Sequence, residues 1–293
     1  MQPVIRVDFT VGFGNNLFQF VYAKLLAEKI GAKIYILSPI TDYFGIDCLD
    51  LLVADDTYEN VSVYFSNKIF ENGLPLKQVT TEQQAKIELE NPSKCNYLLN
   101  GYFEDYTLYG AHLEKIRSWF IRPDVIDKEN AVLHLRLGDR LFIPATYKEE
   151  AFLTFEKYKR GLDQMNFNKL YIISDLPEWR QFKHDELLQY RYHVKVQENT
   201  LEMSAKAANY VNELVEKFSN SYKINFCNGN LSSDFYRIMS YDKIIFGYST
   251  FAWWAAALSN ASKVGVFGPW RAMKKTGNKN LGQTNYPGWF QWS

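Results

Sequence analysis

The sequence predicts an α/β protein built as two facing α/β domains with parallel sheets. Three observations carry that expectation. Short apolar segments alternate with segments of helical periodicity, the alternation occurs twice, and a short polar stretch containing Pro123 separates the two runs. Strand–helix–strand order implies right-handed crossovers and hence parallel pairing. Residues 4–9 alternate apolar and polar side chains, then enter Gly12-Phe13-Gly14-Asn15-Asn16. Over 16–30, Leu17, Phe20, Val21, Leu25 and Ile30 fall near helical spacing, and Gly31 is a natural stop. Residues 33–37 read as a second strand, completing one strand–helix–strand unit. Residues 40–100 are less regular and read as short strands and loops. A helix is expected over 109–120, with Leu113, Ile116 and Phe120 on one face, ending before Arg122-Pro123. The stretch 121–130 is the linker, which divides the chain into a domain over 1–125 and a second over 126–293. In the second domain strands are expected at 131–137, 170–173, 224–226, 244–246 and 264–267, with helices near 149–161, 200–219 and 251–259. The tail 270–293 is aromatic and glycine-rich. Return to the first domain and ordinary terminal packing are both open for it.

Composition removes several function classes. The 33 basic and 33 acidic residues cancel, and no basic stripe appears, which argues against a nucleic-acid partner. A hydrophobic fraction of 47% with 23% charged residues excludes wholesale disorder. Aromatic residues make up 16% of the chain; they supply core volume or stacking surfaces, and composition does not choose between them. Cys48, Cys95 and Cys227 are odd in number and far apart, which disfavours a disulfide framework and a cysteine zinc site. His112, His134, His184 and His193 include no pair at helical metal-ligand spacing. The first eight residues carry Arg6 and Asp8 and no apolar core, so no signal peptide is expected. Residues 244–262 carry no formal charge, but Gly247, Tyr248, Ser249, Thr250, Ser259 and Asn260 interrupt them. A buried strand, loop and helix fit that stretch better than a membrane span of about 20 apolar residues. The expectation is a cytoplasmic protein with no transmembrane segment; peripheral membrane contact stays open.

Ligands of open parallel sheets bind beyond the carboxyl ends of the strands, so chemistry is sought there. Gly12-Phe13-Gly14-Asn15-Asn16 follows a strand and opens a helix, the geometry of a cradle for phosphate or a sugar hydroxyl. Leu17 at the third glycine position excludes a dinucleotide fingerprint, and no Walker lysine follows. In His134-Leu135-Arg136-Leu137-Gly138-Asp139, strand parity puts His134 and Arg136 on one face and Leu133, Leu135 and Leu137 on the other. Arg136 is a fork suited to a pyrophosphate or, alternatively, a member of an ion pair, with Asp139 as one partner. Ser174 and Asp175 close another strand, and Asp234 sits in Ser232-Ser233-Asp234; each fits a nucleoside contact or a helix cap. Ser249, Thr250 and Phe251 open a helix whose first N–H groups suit a phosphate, and Trp253 and Trp254 read as core. The chain has no Asp-x-Asp, no Gly-x-Ser-x-Gly and no His-Glu-x-x-His, which disfavours a metal-bridged diphosphate, a serine hydrolase and a zinc peptidase.

Four of these blocks, in order, resemble the alpha-1,2-fucosyltransferase family (glycosyltransferase family 11). Gly12 to Phe20 is similar to its Gly-x-Gly-Asn-x-x-Phe-Gln segment, and His134 to Asp139 to its His-x-Arg-Arg-Gly-Asp motif. Tyr171-Ile172-Ile173-Ser174-Asp175 resembles Phe-Tyr-Ile-Phe-Ser-Asp. Ser249-Thr250-Phe251-Ala252-Trp253-Trp254 resembles Ser-Thr-Phe-Ser-Trp-Trp and follows Asp234 at the family's spacing. The resemblance covers residues 12–258 but no motif in 40–120. It implies a GT-B architecture of two facing Rossmann-like domains, the nucleotide sugar held mainly by the second. It also implies an inverting transfer of L-fucose from GDP-fucose, as co-substrate, to a glycan hydroxyl, with α-1,2 linkage to a galactose-type residue. No cofactor and no metal are implied. Arg136 would hold the diphosphate and offset the charge of the leaving group. His134, Ser174, Asp175 and Asp234 would approach the guanosine, Ser249 and Thr250, with Phe251 beside them, the β-phosphate, and Gly12, Gly14 and Asn15 the cleft from the other domain. Asp139 is the candidate base, ahead of Glu104 and Asp105. Leu137 stands where the family has a second arginine, which leaves a different nucleotide-sugar donor as the alternative. A non-catalytic carbohydrate-binding protein, suggested by the aromatic content, is the second alternative.

Overall fold

A computed structural model describes residues 1–9, 12–37, 61–63, 70, 72–138, 141, 153–187, 200–268 and 286–292. The described chain divides into two compact units between Arg122 and Pro123. Tyr286 and Pro287 belong to the first and residues 288–292 to the second.

Unit 1 contains β1 (Val4–Asp8), α1 (Phe13–Ile30), β2 (Lys33–Leu37), β3 (Val61–Val63), β4 (Leu76–Val79), α2 (Glu82–Glu90), β5 (Asn96–Leu99) and α3 (Leu113–Ser118). Its sheet runs β3-β2-β1-β5-β4, with every pair parallel. α1 is a core helix rather than a one-sided one: Phe13, Leu17, Phe18, Phe20, Val21, Tyr22, Leu25 and Leu26 are all buried. Gly12 at its start adopts φ +101° and Gly31 at its end φ +66°, left-handed angles that any side chain would strain. The helix expected over 109–120 is shorter, because 3₁₀ turns at Tyr106–Leu108 and Gly110–His112 precede α3. Tyr109 is fully committed there, its hydroxyl donating to the carbonyls of Phe18 and Phe103.

Unit 2 contains β6 (Asp127–Leu135), α4 (Phe155–Leu162), β7 (Leu170–Ser174), α5 (Thr200–Ser221), β8 (Ile224–Cys227), α6 (Leu231–Met239), β9 (Tyr241–Phe246), α7 (Thr250–Leu258), β10 (Lys263–Phe267) and β11 (Phe290–Trp292). The all-parallel order β11-β10-β9-β6-β7-β8 is the doubly wound arrangement, in which winding reverses between β6 and β9. Leu133, Leu135 and Leu137 join Leu170 and Ile172 under α4 and α5 in one core. Trp253 and Trp254 are buried in α7, as core residues should be.

Three sequence expectations are corrected. β6 begins at Asp127, inside the expected linker, because the Asp127 carboxylate accepts from the Glu129 and Asn130 N–H groups and its own N–H donates to Ser240. β6 ends at Leu135 rather than 137, because the next two N–H groups that could continue the ladder turn to a side chain instead. α6 was not expected at all; Asn230 caps it by accepting from the Ser233 N–H. No helix of the described residues is long and apolar enough to cross a membrane.

Candidate functional site

In unit 2 the winding reverses between β6 and β9, and it is at the carboxyl ends of strands at such a point that open parallel sheets bind ligands. Register places Leu135 beside Ser174 and His134 beside both Ile173 and Phe246. The next residues, Arg136 and Asp175, therefore emerge side by side from adjacent strands. Arg136 Nη1 donates to Asp175 Oδ2 at 3.0 Å, and the two side chains are 39% and 27% exposed. Asp175 Oδ1 accepts from the Leu137 N–H at 2.8 Å and from the Gly138 N–H at 3.0 Å. Arg136 is thus one of the paired arginines weighed from the sequence, with Asp175 as the carboxylate. Asp139 lies outside the described residues.

Strand parity sets His134 opposite the leucines. Its ring is buried and lies 5.5 Å from Phe251 of α7, which meets Phe235 of α6 edge-on at 5.2 Å. Burial, reinforced by the Arg136 charge, lowers the His134 imidazole to about 3, so it is neutral at physiological pH. Asp234, in the first turn of α6, is 8% exposed. Burial raises its carboxyl, while the Gly229 N–H and Arg237 pull the other way. Among the described residues, His134 Nδ1 and Asp234 Oδ1 are buried without a hydrogen-bond partner. Such atoms cost about 1–3 kcal/mol each, and Ser204 Oγ within α5 is another of them.

The remaining residues of this set serve the fold as well. Ser249 caps α7, its Oγ accepting from the Ala252 N–H at 3.2 Å, and Thr250 and Phe251 are half-buried in the first turn. Ser174 is buried, with Oγ accepting from the Leu176 N–H at 3.3 Å. Unit 2 thus gathers His134, Arg136, Ser174, Asp175, Asp234, Ser249, Thr250 and Phe251 around the ends of β6, β7 and β9.

Gly12, Gly14 and Asn15 belong to unit 1, where winding reverses between β1 and β5. α1 starts there with no side-chain cap and no acidic residue in its first turn. Fully buried Gln19 ties the switch point together, its amide donating to the carbonyls of Asp8 at 3.1 Å and Gly101 at 3.0 Å. Asn16 is 2% exposed, and its Oδ1 has no partner among the described residues. Nothing in the local sequence separates Asn16 from Asn15; burial alone does. Asp105 spends its carboxylate on Thr107. Among the described residues no three His, Cys, Asp or Glu side chains gather as a metal site would require.

Two doubly wound parallel sheets, the second with ionic and hydroxyl groups at its switch point, define the class: an α/β protein with parallel sheets. No protein-family model matches the chain, and no curated protein matches it in sequence. Among solved structures, it is similar to the iron-containing heptosyltransferase TibC of enterotoxigenic E. coli. The TM-score is 0.46 and the identity 11%, over 99% of this chain and 62% of TibC. It is also similar to Arabidopsis thaliana FUT1 in complex with GDP (TM-score 0.47, 9% identity, 91% and 70% covered). A third is the fucosyltransferase NodZ from Bradyrhizobium (TM-score 0.44, 10% identity, 88% and 93% covered). The chain thus spans less than two thirds of the length of TibC.

Proposed function

We propose that this chain is a cytoplasmic, metal-independent, inverting glycosyltransferase of GT-B type. It moves L-fucose from GDP-fucose to a glycan hydroxyl, in α-1,2 linkage to a galactose-type residue, without a cofactor. The observation that carries the reading is the set of polar groups near the β6/β9 switch point: buried His134 Nδ1 close to the part-exposed Arg136 guanidinium, with buried Asp234 Oδ1 on the helix whose Phe235 meets Phe251 beside His134. An acceptor-only carboxylate suits the N–H donors of a guanine edge, and a guanidinium suits the diphosphate. The four motif blocks supply the identity of the sugar.

In this mechanism the bond from the anomeric carbon to the β-phosphate oxygen breaks through an oxocarbenium-like transition state, and the electron pair leaves on that oxygen. The acceptor hydroxyl oxygen forms the new bond on the opposite face, and its proton passes to a base, for which Asp139 is the candidate. Arg136 and the first turn of α7 stabilise the leaving diphosphate, an effect that grows as the bond lengthens and so lowers the barrier.

Leu137 bears on the alternative donor. It is 1% exposed within the core that also holds Leu133 and Leu135, which supports a site that works without a second arginine, while another nucleotide-sugar donor is the alternative. Thermal melts with GDP-fucose, GDP-mannose and UDP-sugars test the reading, because only a bound donor stabilises the native state. A GDP-selective rise, followed by fucosylated product from a glycan panel in the presence of EDTA, is expected. Equal stabilisation by UDP-sugars moves the assignment to another donor, and glycan binding with no release of nucleoside diphosphate makes the protein a lectin.

A further inference from the structure

We propose that Asp175 is a positioning residue whose carboxylate occupies an anion nest in the loop after β6 and aims Arg136. Its two oxygens do separate jobs. Oδ1 gathers the Leu137 and Gly138 N–H groups, and Oδ2 takes Arg136 Nη1. Two successive N–H groups converging on one oxygen form an anion nest. Here the anion is a side chain of the protein itself, delivered by β7, which pairs with β6 in the register Leu135 to Ser174.

Gly138 shows how closely this fit is drawn. A Cβ at that position would lie 2.2 Å from Asp175 Oδ2 and 2.8 Å from its Cγ, so any larger residue must push the carboxylate away. The glycine supplies room, since its backbone is not in the left-handed region. Because the Leu137 and Gly138 N–H groups hold Asp175, those two donors are taken, and of residues 136–138 it is the Arg136 guanidinium that suits a phosphate. A fixed carboxylate beside that guanidinium weakens its pull on a diphosphate and narrows the directions it adopts. Asp175 thereby trades ligand affinity for geometry.

The aiming function rests on the glycosyl-transfer reading; the nest does not. Asp175→Asn separates the two jobs, because the amide oxygen still accepts from the two N–H groups while the amide nitrogen cannot accept from Arg136. Asp175→Asn is expected to bind GDP at least as tightly as the wild type in calorimetry, with turnover lowered about 100-fold by the misdirected guanidinium. On an Arg136→Ala background the same change is expected to cost nothing further. Turnover within twofold of wild type, weakened GDP binding with normal turnover, or full additivity with Arg136→Ala would each overturn the proposal. Amide exchange at Leu137 and Gly138 provides an arm that needs no substrate: protection is expected in the wild type and in Asp175→Asn, and its loss in Asp175→Ala. Equal protection in all three overturns the nest. Absence of GDP binding and of fucosyl transfer in the wild type removes the proposed function and the aiming role with it, and the exchange arm alone then decides the nest.

Discussion

Each unit has an arginine–aspartate pair near the end of its leading strand, and the two are built differently. Arg6 and Asp8 lie two apart on β1, on one face, and meet in two places: Nε to Oδ1 at 2.6 Å and Nη2 to Oδ2 at 3.0 Å. The fork is closed on its own strand, and the Arg6 side chain is 15% exposed. Arg136 meets Asp175 across two strands through Nη1, and its side chain is 39% exposed. A planar fork clamped at two points by a neighbour on its own strand is a fixed structural element, whereas the Arg136 fork is gripped from the adjacent strand and keeps more of its surface in solvent. The same sheet topology thus carries a part-buried, same-strand pair in one unit and a more exposed, cross-strand pair in the other.

The largest effect that could break this contrast is on turnover. Arg136→Ala is expected to lower fucosyl transfer about 100- to 1000-fold with an unchanged melting temperature. Arg6→Ala is expected to leave transfer intact and to lower stability by about 1 kcal/mol, seen in denaturant titration. Equal losses of turnover in the two variants would erase the distinction.

Next comes the loop itself. Gly138→Ala, which must displace Asp175, is expected to lower turnover about 100-fold through misplacement of Arg136. Gly12→Ala meets nothing nearer than Asn15 at 3.7 Å, so only its backbone angle is penalised, by about 1–2 kcal/mol of stability.

Gln19→Leu sharpens the comparison from the other side. It strips partners from the Asp8 and Gly101 carbonyls and should cost about 1–3 kcal/mol by urea unfolding, with donor binding unaffected.

The smallest effect is a pH slope. His134 takes up its proton near 6.5 when unfolded but only near 3 when native, so stability falls as the pH drops through that interval. His134→Phe should flatten the acid limb of a melting-temperature profile. The same change at His112 should flatten it less, because partial burial with Lys29 and Lys115 lowers that imidazole by a smaller margin.

What the sequence showed and what it hid follow from the range of the interactions involved. β1, α1 and β2 were legible because periodicity and the two flanking glycines are local signals. The start of β6 was hidden by Asp127, which reads as a turn residue until Ser240 is seen accepting its N–H. α6 was hidden because Asn230-Leu231-Ser232-Ser233 looks like a loop, and only the spacing of Phe235, Ile238 and Met239 suggests a buried face. His134, Arg136, Ser174 and Asp175 were legible as site candidates because they lie at or just beyond the carboxyl ends of apolar strands. The partnership of Arg136 with Asp175 was not, since strand register alone brings residues so distant in sequence together.

Order of synthesis matters for the second sheet. β11 pairs with β10 across residues 268–289, and Trp292 and Phe290 fill space that Gly161 and Gly265 leave by lacking a Cβ. Until those rings emerge from the ribosome, Phe267 and Ile245 lack a wall and β10 is a naked strand edge. The second sheet is therefore complete only once residues 290–292 have been made.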